Sequence, residues 1–263
     1  MDLTPELKLR LITAAVLAAV AIAADYIGGI IWSAAIVGVG VLVGREWHTI
    51  ITGYVTTPIT KEYTIAMLMT ALAAVTLKPV FMIGAVAAGG WVMFKHTEKL
   101  HEFGPQTARW LTFGLLYVLL FVFGLAYLRA QPDGAGLVVW LIAVVAGMDT
   151  GAYFVGKSFG GKKLCPSISP NKTISGLVGG LVVAGGLGVL VADTMNLQIV
   201  QPALVAVVLA LVSHGGDIFV SWHKRQQGLK DTGALLPGHG GVLDRLDGYI
   251  LTAPLFAWLI TLM

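Results

Sequence analysis

Ser221 to Asp247 reads SWHKRQQGLKDTGALLPGHGGVLDRLD, and the apolar segments that close in on either side of it decide what kind of fold this chain can adopt. The stretch holds the basic side chains Lys224, Arg225, Lys230 and Arg245, the acids Asp231, Asp244 and Asp247, and a Gly-His-Gly-Gly turn at 238–241. So much charge and backbone freedom in a greasy chain suits a site that handles phosphate and a metal ion. A solvated loop whose basic residues only set membrane orientation is the plainer alternative.

Outward from that loop the chain is apolar. Of 263 residues 57% are hydrophobic and 12% charged, against roughly 25% charged in soluble domains. This composition reads as an all-α, polytopic membrane protein. The single cysteine, Cys165, excludes an intrachain disulfide. A net charge of +3 without a run of like charge gives no surface for nucleic acid. The N-terminal MDLTPELKLR precedes an apolar run without a small-residue cleavage site, so the first segment is expected to be a retained span.

Apolar runs fall at about 9–24, 27–43, 64–77, 79–94, 110–129, 136–156, 176–193, 199–220 and 249–262, which predicts about nine transmembrane helices. The pair around Lys78-Pro79 is the least regular. With the N-terminus in the cytoplasm, fifteen of the 17 Lys and Arg residues fall inside, and only Lys78 and Arg129 fall outside. The polar loops 157–175 and 221–248 then share the cytoplasmic face of a multi-pass protein of the inner membrane. The chain reads as one membrane domain, 1–263, with an N-terminal helical part to residue 95 and a chemical part over 110–263. Gly179-Gly180, Gly185-Gly186 and Gly215-Gly216 permit close helix contact within spans.

Asp149, in VVAGMDTGAYF, and Asp217, in VSHGGDIFVSW, lie in or at the ends of apolar runs. A charge there costs roughly 2.5–3.5 kcal/mol on insertion scales, which makes each a functional candidate. With Asp244 and Asp247 they form an all-oxygen set suited to Mg²⁺ rather than zinc. Pairing of Asp217 with Lys224 or Arg225 is the alternative. In the second loop Ser169, Asn171, Lys172 and Thr173 precede a helix expected near Gly176, where free amides attract anionic oxygens; a turn followed by an N-cap looks the same in sequence. The spacing is not that of a P-loop. His239 lies between glycines that let backbone approach a ligand. His214 and His223 read as core or interfacial, Cys165 as a bystander, and Arg45-Glu46-Trp47 and His96 to His101 as interfacial, with Trp47 and Trp110 as membrane-edge anchors.

Ser221, Lys224-Arg225, Lys230-Asp231, Pro237-Gly238-His239-Gly240-Gly241 and Asp244-Arg245-x-Asp247 resemble, at matching spacing, the C-terminal signature of the phosphatidate cytidylyltransferases, or CDP-diacylglycerol synthases. Asp149-x-Gly151-Ala152-Tyr153-Phe154 and Ser169-Pro170-x-Lys172-Thr173 are similar to that family's two preceding motifs. A fainter likeness runs through Lys8, Arg10, Thr13-Ala14 and Glu46-Trp47. Val220 stands where the family usually has glutamate, His223 where it has an apolar residue, Ile174-Ser175 where Trp-Glu is usual and Gly248 where serine is common.

The resemblance implies a membrane nucleotidyltransferase of phospholipid biosynthesis: a phosphatidate phosphate oxygen attacks the α-phosphorus of CTP and pyrophosphate leaves. It also implies Mg²⁺ held by Asp217, Asp244 and Asp247, with room for K⁺ as a second cation, and a homodimer. Lys224 and Arg225 join the three acids as the expected catalytic set. Asp149, Tyr153, Ser169, Asn171, Lys172, Thr173, Ser221, Lys230, Asp231, His239, Gly240, Gly241 and Arg245 are expected to bind the substrates. On this reading Asp244→Asn or Asp247→Asn stops pyrophosphate release in a folded protein, and Val220→Glu is tolerated. A CTP-dependent kinase of a polyisoprenol-type lipid would use a similar site and release CDP. A transporter would instead need a polar site near the midplane and repeat symmetry.

Overall fold

The computed structural model describes residues 5–100, 103–236 and 240–263 and, of the side chains, those of Thr13 and of residue 15 onward among them. His239 with its neighbours Pro237 and Gly238, His101, and the side chains of Lys8, Arg10 and Ala14 lie outside that set.

The described residues form α1 (Pro5–Ile27), α2 (Gly29–Thr52), α3 (Thr60–Val75), α4 (Pro79–Lys99), α5 (Pro105–Arg129), α6 (Gly134–Phe159), β1 (Lys163–Cys165), β2 (Ser169–Thr173), α7 (Ile174–Thr194), α8 (Pro202–Gln226) and α9 (Leu243–Ile260). Each expected apolar run falls on a helix, and the fold is all-α. Six of these helices, α2 and α4 to α8, are long and apolar enough to cross a membrane, so the protein is multi-pass. At 16 residues, α3 rises about 24 Å, short of a hydrocarbon core of roughly 30 Å.

The breaks have local causes. Proline opens α1, α4, α5 and α8, where its missing N–H is no loss and its fixed φ suits the first turn. Before Pro79, Lys78 is extended and Leu77 takes φ 55°, which separates the irregular pair at 64–94 into α3 and α4. Gly53, at φ 80°, closes α2 by donating its N–H to Thr49 O at 2.8 Å. The loop at 157–175 carries an unforeseen antiparallel hairpin, with Lys163 opposite Thr173 and Cys165 opposite Ser169. Strands of three and five residues are too short for an alternating pattern to show.

The chain divides into two compact units. One comprises residues 1–126 and 223–246. Its core is aromatic: Trp47 donates Nε1–H to Trp110 O at 2.8 Å and lies 5.7 and 5.3 Å from the rings of Phe113 and Tyr117. Gly114 faces Trp47 and Tyr63 so closely that a Cβ would collide with both. Trp47 is fully buried, which corrects its expected place as a membrane-edge anchor: an indole amid aromatic neighbours is better packed there than at a headgroup.

The other unit comprises residues 127–222 and 247–263. Here α6 packs on α7 through small residues. Trp140 donates Nε1–H to Gly188 O at 2.7 Å and stacks on Phe256 at 4.7 Å. Gly180 meets Met148, and Gly179 meets Val155. Close approach supplies the van der Waals contact that replaces hydrophobic drive between helices in lipid. Of the expected glycine pairs, Gly186 and Gly215 have nothing within 4 Å of a Cβ position, so those two do not mediate contact among the described residues.

Candidate active site

In the first unit the polar loop is built on Asp244, in the first turn of α9. Its Oδ1 accepts from Lys224 Nζ at 2.6 Å. Its Oδ2 accepts from Thr232 N at 2.8 Å and Gly241 N at 3.0 Å, with Thr232 Oγ1 3.1 Å away. A carboxyl group so surrounded is held in one orientation, and the buried Lys224 is its cation. Gly240 takes φ 83° and its O accepts from Leu236 N at 2.9 Å.

Behind this turn lies Glu46 of α2. Its Oε1 accepts from Val242 N at 2.9 Å, and its Oε2 accepts from Leu243 N at 2.7 Å and Thr232 Oγ1 at 2.6 Å. Two free amides at the start of α9 are thereby satisfied from a helix nearly two hundred residues away. Sequence reading placed Glu46 among interfacial residues and missed this role. The available signals were the faint family likeness at Glu46-Trp47 and a carboxyl group just past an apolar run.

The remaining expected residues of this unit are more open. Arg225 is exposed and donates Nη1–H to Leu229 O at 2.9 Å. Lys230, Asp231 and Arg245 are exposed as well. His223 sits edge-on to Trp110 and Trp47, with ring centroids 4.4 and 5.0 Å away. That is a packing position, which explains why a family usually apolar there can accommodate it.

In the second unit Lys172 Nζ lies 2.7 Å from Asp217 Oδ2, and Ser221 Oγ donates to Asp217 Oδ1 at 3.2 Å. Asp217 thus pairs with Lys172 from β2, a partner the sequence did not suggest. His214 is buried within electrostatic reach of both. Gly216 of α8 packs on the backbone of Asp247, where a Cβ would stand 2.5 Å from Asp247 O. The acids at 217 and 247 therefore stand on adjoining segments of the same unit. Tyr249 lies within electrostatic reach of Asp247 and of the exposed Asp149.

Thr173 accepts from Gly176 N at 3.0 Å through Oγ1 and caps α7. Ser175 donates to Gly160 O, Asn171 is exposed and Ser169 half-buried. Tyr153 is exposed, with Lys157 Nζ 3.4 Å from its hydroxyl. A Cβ at Gly248 would displace the Ser213 hydroxyl. Val220 is 0% exposed, so the glutamate usual in the family would have to be buried at this position.

Among the described residues no three His, Cys, Asp or Glu side chains gather as a metal-binding group. Asp217 and Asp247 nonetheless offer the hard oxygen donors Mg²⁺ takes. Asp244 has three protein donors on its two oxygens, Lys224 Nζ, Thr232 N and Gly241 N, and would have to give some up.

The chain belongs to the cytidylyltransferase family, whose model matches residues 8–263. Within it the chain is similar to the phosphatidate cytidylyltransferase of Brucella suis biovar 1 (strain 1330), at 35% identity over 258 residues covering 95% of this chain and 92% of the relative. It is also similar to the phosphatidate cytidylyltransferase of Rickettsia felis (strain ATCC VR-1525 / URRWXCal2), at 34% identity over 191 residues, 70% of this chain and 82% of the relative.

Proposed function

We infer that this chain is a membrane nucleotidyltransferase that makes CDP-diacylglycerol and pyrophosphate from CTP and phosphatidate. The observation that carries the reading is similarity to phosphatidate cytidylyltransferases along 95% of the chain. In the reaction a phosphate oxygen of phosphatidate forms a bond to the α-phosphorus of CTP. The bond from that phosphorus to the bridging oxygen breaks, and pyrophosphate takes the electron pair. The attacking oxygen is already anionic near neutral pH, so the protein needs no nucleophile of its own. Its task is to position and neutralise two polyanions.

For that task we propose two groups of residues. Lys172, Ser221 and Asp217, with the Thr173 end of β2 and with Asp149, Tyr153, Ser169 and Asn171 nearby in sequence, receive one phosphate-bearing substrate. The glycine turn 238–241, with Lys230, Asp231, Arg245 and the Lys224 and Arg225 end of α8, receives the other. Arg245 and Arg225 can each fork onto two oxygens, which a lysine cannot do. Asp217, Asp244 and Asp247, the acids of the family-like motifs, are the proposed protein ligands of Mg²⁺. Mg²⁺, when bound, supplies positive charge against the crowded phosphate oxygens; K⁺ is proposed as a second cation.

The proposal extends to nine spans, a cytoplasmic N-terminus and a homodimer in the inner membrane, with the polar loops on the cytosolic face. The fifteen-to-two distribution of basic residues supports that orientation. A lipid substrate then keeps its tails in the bilayer, which avoids extraction at roughly 0.8 kcal/mol per CH₂. Purified protein, labelled CTP, phosphatidate and Mg²⁺ test the function. Labelled CDP-diacylglycerol with stoichiometric pyrophosphate is expected; free CDP with a phosphorylated lipid alcohol would instead establish a kinase.

A further inference from the structure

We propose that Glu46 is a positioning residue that sets the nucleotide-receiving loop, acting from α2 without touching substrate. The inference rests on the reading above that the 230–241 loop takes the triphosphate of CTP, the substrate whose chain of anionic oxygens suits a glycine-rich stretch flanked by basic residues.

Glu46 holds the loop at both of its ends. Thr232, where the loop leaves Asp231, donates its hydroxyl to Oε2 at 2.6 Å. Val242 and Leu243, where the loop enters α9, donate their amides to Oε1 and Oε2 at 2.9 and 2.7 Å. One carboxyl group therefore fixes the span between the two flanks of the Gly-His-Gly-Gly turn. The side chain is 8% exposed, so water does not compete for these bonds.

Two glycines make room for it. A Cβ on Gly233 would stand 2.9 Å from Glu46 Oε1, and one on Gly241 would collide with both Thr232 Oγ1 and Glu46 Oε2. A second tie runs alongside: Gln227, past the end of α8, donates Nε2–H to Ile51 O at 3.2 Å, so α2 grips the loop's approach as well. The same Thr232 supplies its N–H to Asp244. Moving Glu46 thus shifts the loop flanks and the Asp244 carboxyl group together.

Glutamine keeps the shape of Glu46 but has one acceptor oxygen. Whichever way its amide turns, either Val242 N or the Leu243 N and Thr232 Oγ1 pair faces an NH₂ group. Glu46→Gln is therefore expected to raise the KM for CTP at least tenfold while leaving the KM for phosphatidate within twofold of wild type. Hydrogen exchange across 232–243 should quicken by a similar factor, with helical content unchanged. Gly233→Ala, which crowds Glu46 without altering a donor, should give the same selective change, and Thr232→Val a smaller one of about threefold.

Wild-type KM for CTP in Glu46→Gln, or a parallel rise in both KM values, overturns the proposal. If Glu46→Gln does not fold, Gly233→Ala and Thr232→Val decide by the same criterion. A wild-type protein that forms no CDP-diacylglycerol would sink the functional reading itself. An active wild type with indifferent variants would sink only the role of Glu46.

Discussion

Lys224 Nζ lies 2.6 Å from Asp244 Oδ1, and the two side chains are only 9% and 6% exposed. Breaking a buried ion pair by removing one partner costs about 3–5 kcal/mol, because the other charge is left in a poor solvent. Lys224→Met and Asp244→Asn should therefore each lower the melting temperature in detergent as well as abolish turnover. The double variant should lose clearly less stability than the two singles added together. Additive losses would mean that the pair is not coupled.

Asp217 stands in a different setting. Its pair with Lys172 is partly open, with Asp217 34% exposed, and such a pair contributes about 1 kcal/mol or less. Asp217→Asn and Asp247→Asn should keep the wild-type fold and melting behaviour, yet release pyrophosphate from CTP at under 1% of the wild-type rate. Titrating Mg²⁺ into these variants should give a half-maximal rate only at a higher concentration than wild type needs. A wild-type Mg²⁺ response in both would remove them from the proposed metal site.

Val220 predicts the opposite pattern. A glutamate introduced at a position with no solvent access should destabilise by ~3 kcal/mol. Val220→Glu should give little monodisperse protein, whereas Val220→Ile or Val220→Ala should remain folded. Size-exclusion chromatography after extraction distinguishes these outcomes. A well-behaved Val220→Glu protein would show that the position can reach water.

His223 tests whether a departure from the family pattern is chemical or mechanical. Clamped between Trp47 and Trp110, its ring fills volume. His223→Phe or His223→Leu should keep turnover within about threefold of wild type and change stability by less than ~1.5 kcal/mol, the usual cost of a volume-conserving core exchange. Loss of activity in both, in folded protein, would give the imidazole a role beyond packing.

Bringing the chelator arm to the wild type completes the set. EDTA should stop the reaction without unfolding the protein, because the buried aromatic core around Trp47 and Tyr63 is held by ring packing and the Trp47–Trp110 hydrogen bond. Activity should return on adding Mg²⁺. Unfolding on chelation would assign the ion a structural place instead.

Much was legible in advance because it is local. An apolar run of near-spanning length between prolines declares a helix, as at Pro79, Pro105 and Pro202, and the motif residues from Ser221 to Asp247 declare a family through their spacing. Thr173 could be read as a cap or as a phosphate donor, and both readings begin from the same helix start. The β1 and β2 hairpin was invisible, because it is shorter than any period it could display.

What the sequence by itself determined, then, is the solvent this chain folds in, the positions of its helices and the residue types available for phosphate chemistry. Only the tertiary structure decided the pairings: Asp217 with Lys172 rather than with Lys224, Asp244 with Lys224, and Glu46 with the start of α9. The reason is physical. Helix formation and membrane partition depend on neighbours a few residues away, which leave a periodic trace. A bond between residues 197 apart depends on where two packed segments meet, and no periodicity in the chain records it.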